Sequence, residues 1–238
     1  VRDRGCAAAV SAPLQIAVSC GSGEASSVSL ESAWRTWEAE PKAREDALQA
    51  AAGVASLVNR LSHPEPERLR LVIRSGAQLH ALVQRRTSDP PAAWPITRDL
   101  WAVLVLDAPS ALSFVGQTEL GRLKMDRDGG YVRALANLER AFPAPVDQGE
   151  GPVYMLEADG AYDASLLLWT ELWVARQARS GGPLYAAVPD PGVLLWADGS
   201  RPRALQNLRA VISQARAQGG ALDEAVLRFT GDGWEILE

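Results

Sequence analysis

Two hydrophobic periods alternate along this chain, and the places where one gives way to the other outline its elements. Alternating or short continuous apolar runs predict strands at 14–20 and 26–30, joined by a Gly-rich turn, and at 68–74. Further strands are expected at 101–107 and 112–115 around the turn APSA (108–111), then at 153–157, 184–188 and 193–196. A last hairpin is expected from 226–229 and 234–237, turning at GDG (231–233).

Spacings of three and four residues predict helices at 31–38, 41–61, 77–86, 118–124, 131–142, 162–179 and 202–217. Leu48, Ala51, Ala55, Val58 and Leu61 form the stripe of the second, and Pro41 suits its first turn because that N–H has no partner anyway. HPEPE (63–67) ends it, since a residue before proline avoids the α region. Strands and helices alternate irregularly, with at least three strand pairs close enough to be antiparallel. The expected fold is therefore α+β, a mixed, largely antiparallel sheet with flanking helices.

With 238 residues, 47% of them hydrophobic, the chain can bury a sizeable core. A single domain over 1–238 is expected, with the Pro-rich stretch TSDPPAAWP (87–95) marking a candidate sub-boundary at 87–97. A net charge of −5 gives none of the dense positive field that phosphate backbones demand, which argues against a nucleic-acid partner. No apolar run approaches the ~18 residues of a membrane span. Cys6 and Cys20 make neither a disulfide framework nor a thiolate metal site, so a reduced, cytoplasmic chain is the simplest expectation. Arg2 and Arg4 ahead of CAAAVSAPLQIAVSC loosely imitate an export segment ending at a lipidated cysteine, but Pro13 and Gln15 interrupt it, and LQIAVSC followed by GSGEA and SSVSLE reads better as a β-hairpin.

Metal and cofactor chemistry find little support. His63 and His80 stand apart with no cysteine near them, so no metal and no cofactor is expected. DRDGG (126–130) fails as a calcium loop, with Tyr131 at position 6 and Asn137 at position 12; a turn before a helix is the better reading. GSGEAS (21–26) approximates a dinucleotide loop, but a strand follows where a helix is needed.

The best polar cluster is ADGAYDAS (158–165). Asp159, Tyr162, Asp163 and Ser165 gather carboxylates and hydroxyls near a helix start, where they would hold a small polar ligand or a cation. The alternative is structural, with Asp159–Gly160 making a turn and Asp163 capping the helix. Eight tryptophans outnumber Phe and Tyr together, and Trp169 and Trp173 lie one helical turn apart. Core packing is their default role, and partner recognition is the sharper one.

Several strings resemble the bacterial domain-of-unknown-function family 1444 (YtpQ-like): VSLESAWRTWE (28–38), LVIRS (71–75), RDLWAVLVLD (98–107), ALANLERAFP (134–143), DGAYDASLLL (159–168) and LYAAVPDPGVLLWADG (184–199). Asp190–Pro191–Gly192 departs from the family, in which Asp following Arg or Gln often comes after AVP. The resemblance implies one domain and a bacterial cytoplasmic setting, and supplies no activity. Together these readings favour a non-catalytic binding or regulatory module with a protein partner or a small polar ligand. The alternative is a small-molecule hydrolase or transferase centred on Asp159, Asp163 and Ser165. The oligomeric state has no signature in the sequence.

Overall fold

The computed structural model describes residues 6–12, 15–20, 26–29, 65–86, 88–108, 111–217 and 222–237. The helices expected at 31–38 and 41–61, and His63, lie outside the described residues. Three sheets are present, and every pairing among the described strands is antiparallel. The fold is α+β, with its strands divided among three sheets where one was expected.

The first sheet is β1 (Cys6–Ala12), β2 (Gln15–Cys20) and β3 (Ser26–Ser29), in that order. The export-like stretch thus includes two paired strands, and β3, which begins at Ser26, pairs with β2.

The second sheet centres on β6 (Leu100–Ala108), flanked by β4 (Leu69–Ser75) on one side and by β5 (Ala93–Pro95) and β7 (Ala111–Phe114) on the other. The Pro-rich stretch carries β5, and its flanks β4 and β6 pair with each other. The stretch therefore lies within the second sheet. Helix α1 (Gly76–Arg85) follows β4 through a capping box, in which Ser75 and Gln78 each accept the other's backbone N–H.

Helices α2 (Gln117–Arg122) and α3 (Arg127–Ala141) come next. DRDGG proves to be the start of α3, where Asp126 caps the helix by accepting from the Gly129 N–H at 2.7 Å.

The third sheet runs β13 (Trp234–Ile236), β12 (Leu227–Phe229), β10 (Leu184–Asp190), β11 (Val193–Asp198), β9 (Val153–Glu157), β8 (Val146–Gln148). Between β9 and β10 the expected helix at 162–179 is broken. A 3-10 segment, Asp163–Leu168, gives way at Trp169 to α4 (Thr170–Gln177). Helix α5 (Ala204–Ala217) lies between β11 and β12 in the chain.

Strand alternation sends side chains to opposite faces, and here it fills separate cores. Leu69, Leu71, Ala102, Leu104 and Leu106 pack with Leu120 and Ala134 of α2 and α3. The central core draws Val72, Val103 and Val105 from the second sheet and Leu156, Leu194, Trp196 and Leu227 from the third. Helix α5 covers the far face of the third sheet through Ala204, Leu208 and Ile212.

Outer strand β4 turns three carbonyls away from β6, and each has a donor. Asn137 Nδ2 reaches Leu69 O at 3.1 Å, Ser165 Oγ reaches Leu71 O at 2.7 Å, and Arg74 Nη1 reaches Ile73 O at 2.7 Å. Three acceptors of this edge are thereby taken up within the molecule.

Candidate functional site

The 158–168 segment joins β9 to α4 and touches both larger sheets. Its turn is built from side chain to backbone. Asp163 Oδ1 accepts the N–H groups of Ala158, Asp159 and Gly160 at 2.9, 3.1 and 3.0 Å. Asp159 Oδ1 accepts those of Ala161 and Tyr162 at 2.9 and 3.0 Å, the two-residue reach of an Asx turn. Gly160 takes the left-handed conformation this path requires, with φ of 77°. Its carbonyl also presses on the β10–β11 turn, where a Cβ on Gly192 would stand 2.4 Å away.

The sequence therefore places the turn at Asp159–Gly160 correctly, and the role of Asp163 differs from the expected one. Asp163 reaches back to the turn before it and caps no α-helix, because a 3-10 segment begins there. Asp163 is 2% exposed and Ser165 1%, with the Ser165 hydroxyl donated to β4. Tyr162 is buried against Phe142, ring centroids 6.1 Å apart, and its hydroxyl faces the Asp107 carboxylate without meeting it in strict hydrogen-bond geometry. Burial, and then the Asp107 carboxylate, push its pKa well above the usual phenol value. It stays protonated across the physiological range.

Of the two tryptophans proposed for partner contact, Trp173 is 0% exposed, and its indole N–H donates to Leu166 O at 2.9 Å. It has no surface to offer a partner. Trp169 is half-buried against the central core. Trp173 instead belongs to an aromatic group that sequence reading missed. It stands edge-on to Trp234 at 4.9 Å and to Trp196 at 6.3 Å, and Tyr154 stacks on Trp196 at 5.0 Å. The Arg176 guanidinium lies over Trp196 and Trp173, 4.8 and 5.6 Å from their centroids, and pairs with Asp147 Oδ2 at 2.7 Å. Asp147 Oδ1 accepts the Trp196 indole N–H at 2.8 Å. The i, i+3 spacing of Trp173 and Arg176 was the available signal. Asp147 comes from a polar loop-like stretch and carried none.

A cleft of about 250 Å³ opens between α1, β5 and the starts of α2 and α3. Leu79, Val83, Pro91 and Ala92 wall it, and Gln117 and Arg127 stand at its rim. Arg127 lies over the Trp94 ring at 4.9 Å, donates to Ala93 O, and has no carboxylate partner among the described residues.

His80 is exposed on α1. Among the described residues no three His, Cys, Asp or Glu side chains converge as a metal site, and no helix is long and apolar enough to cross a membrane. Neither a family model, nor a curated protein, nor a solved structure matches the chain.

Proposed function

We propose that this protein acts by binding, as a module without catalysis of its own. The observation that supports this most is the bonding of the polar cluster. The Asp159 and Asp163 oxygens described above accept five backbone N–H groups between them, and the Ser165 hydroxyl is donated to Leu71 O. A general base or nucleophile must reach a substrate proton or carbon, whereas one oxygen of each aspartate and the Ser165 hydroxyl are engaged with the chain itself. The cleft at Arg127 adds a concave, mostly apolar recess with a few polar groups, the usual make-up of a ligand or side-chain pocket. Membership of the YtpQ-like family is proposed alongside, on the quoted strings alone.

The test pairs binding with turnover. A thermal-shift panel of amino acids, sugar phosphates, nucleotides and short carboxylic acids should yield a ligand whose shift weakens in Arg127→Gln. Ligand at a hundredfold its Kd stabilises by about 2.7 kcal/mol. Hydrolysis of an ester and phosphoester panel should be flat. Turnover that disappears in Ser165→Ala, in a variant that stays folded, would replace this reading with the hydrolase.

A further inference from the structure

The cleft beside β5 brings a fixed cation to the mouth of an apolar recess. Leu79 and Val83 share one face of α1, and Pro91 and Ala92 lead into β5. Arg127 is exposed at the rim, yet its guanidinium is held from two directions. Trp94 lies under it, and Ala93 O accepts from its Nη2. A guanidinium has five N–H donors in a rigid fork, so this anchoring leaves donors over. No carboxylate among the described residues takes them, whereas Arg86 is already paired with Asp89 and Glu119.

Size and charge narrow the occupant. The cleft measures about 250 Å³, and at ~30 Å³ for each water-sized group it holds about eight non-hydrogen atoms. One unpaired cation calls for one negative charge. Asp126 and Asp128 flank Arg127 in the chain, and Asp89 accepts the Gln117 N–H at the same rim, so a second negative charge would meet repulsion.

We propose that this cleft binds a small free monocarboxylate with an aliphatic tail. The carboxylate takes the open donors of Arg127, and the tail lies against Leu79, Val83 and Ala92. This assignment rests on the reading of the protein as a binding module and names the chemical class bound. Each half of the ligand answers one half of the site: the charge sets orientation at the rim, and the tail replaces water over the apolar wall.

Calorimetric titration of the full chain with isocaproate, isocaproamide, acetate and inorganic phosphate tests it. Isocaproate should bind at one site with a Kd of about 1 mM or tighter. Isocaproamide keeps the shape without the charge, acetate keeps the charge without the tail, and phosphate carries excess charge; each should bind at least about tenfold more weakly. Arg127→Gln removes the cation and Val83→Phe fills the recess. Each should weaken isocaproate at least about tenfold, with unliganded thermal midpoints confirming that the variant is folded. The comparison among ligands needs only the unaltered chain, so it decides the matter even where a variant fails to fold. A Kd weaker than about 1 mM, any control ligand within about tenfold of isocaproate, or a smaller loss in either folded variant would overturn the assignment. The module reading would survive that result; it fails instead on turnover that depends on Ser165.

Discussion

A single oxygen of Asp163 collects three backbone N–H groups, which makes it the most heavily used acceptor in the central turn. Replacing it with alanine strands those donors in a site only 2% exposed. Asp163→Ala should destabilise by about 3–4 kcal/mol, read from the urea midpoint. A loss under about 1 kcal/mol would mean the turn holds without it. Tyr162 predicts the opposite sign. Its hydroxyl is buried facing the Asp107 carboxylate but outside strict hydrogen-bond geometry, so Tyr162→Phe should leave stability unchanged or raise it by about 1 kcal/mol in the same assay. A clear loss would reveal a bond to that oxygen.

At the scale of elements, β8 is a three-residue strand that the hydrophobic pattern does not announce, with every residue exposed. What holds it at the sheet edge is Asp147, shared between Arg176 and the Trp196 indole. Asp147→Ala leaves a guanidinium buried over two tryptophans with no charge partner. Because the Asp147 side chain keeps 34% exposure, the expected loss is about 2 kcal/mol, below that of a fully enclosed pair. Near-ultraviolet circular dichroism should record the change through Trp196; an unaltered spectrum and midpoint would show the pair to be dispensable.

The strands made of dense apolar runs, β4, β6, β10 and β11, were legible in the sequence to within two residues. Short strands held by neighbours, β5 among prolines and β8, were not, because nothing local distinguishes them from loop. The break at Trp169 was hidden for a related reason. Residues 162–179 keep a helical spacing, and the turn to 3-10 geometry is set by bonds to β4 and to the preceding loop. ADGAYDAS was readable as a special place, yet nothing in its composition told a bonded joint from a binding site.

For the whole molecule, the central core takes side chains from both larger sheets, so neither sheet can lose its packing alone. Tryptophan fluorescence and far-ultraviolet circular dichroism should give one coincident unfolding transition over urea; two separated transitions would divide the chain into independent units. Acid should weaken this unit in a defined window. Burial pushes the Asp89 carboxyl upward, but hydrogen bonds from Thr118 and Gln117 and the nearby Arg86 outweigh it and hold the group below its ordinary value. Asp198 is likewise lowered, with Ser180 and Ser200 outweighing burial. A depressed carboxylate contributes stability above its unfolded pKa and loses it as pH falls through the folded one. Stability should therefore decline below about pH 4, and less steeply in Asp89→Asn. An identical acid slope in that variant would discount Asp89.

The Trp234 indole donates to Leu167 O at 2.9 Å, and its ring closes the face of Trp173. The two partners are 67 residues apart in the chain. On the ribosome Leu167 and Trp173 are made long before that indole emerges. Until it does, the Leu167 carbonyl lacks this donor and Trp173 lacks one of its neighbours. The joint between the sheets is thus completed only by residues synthesised well after those it closes over, and a nascent chain halted before Trp234 would present an open, apolar joint to whatever waits at the tunnel exit.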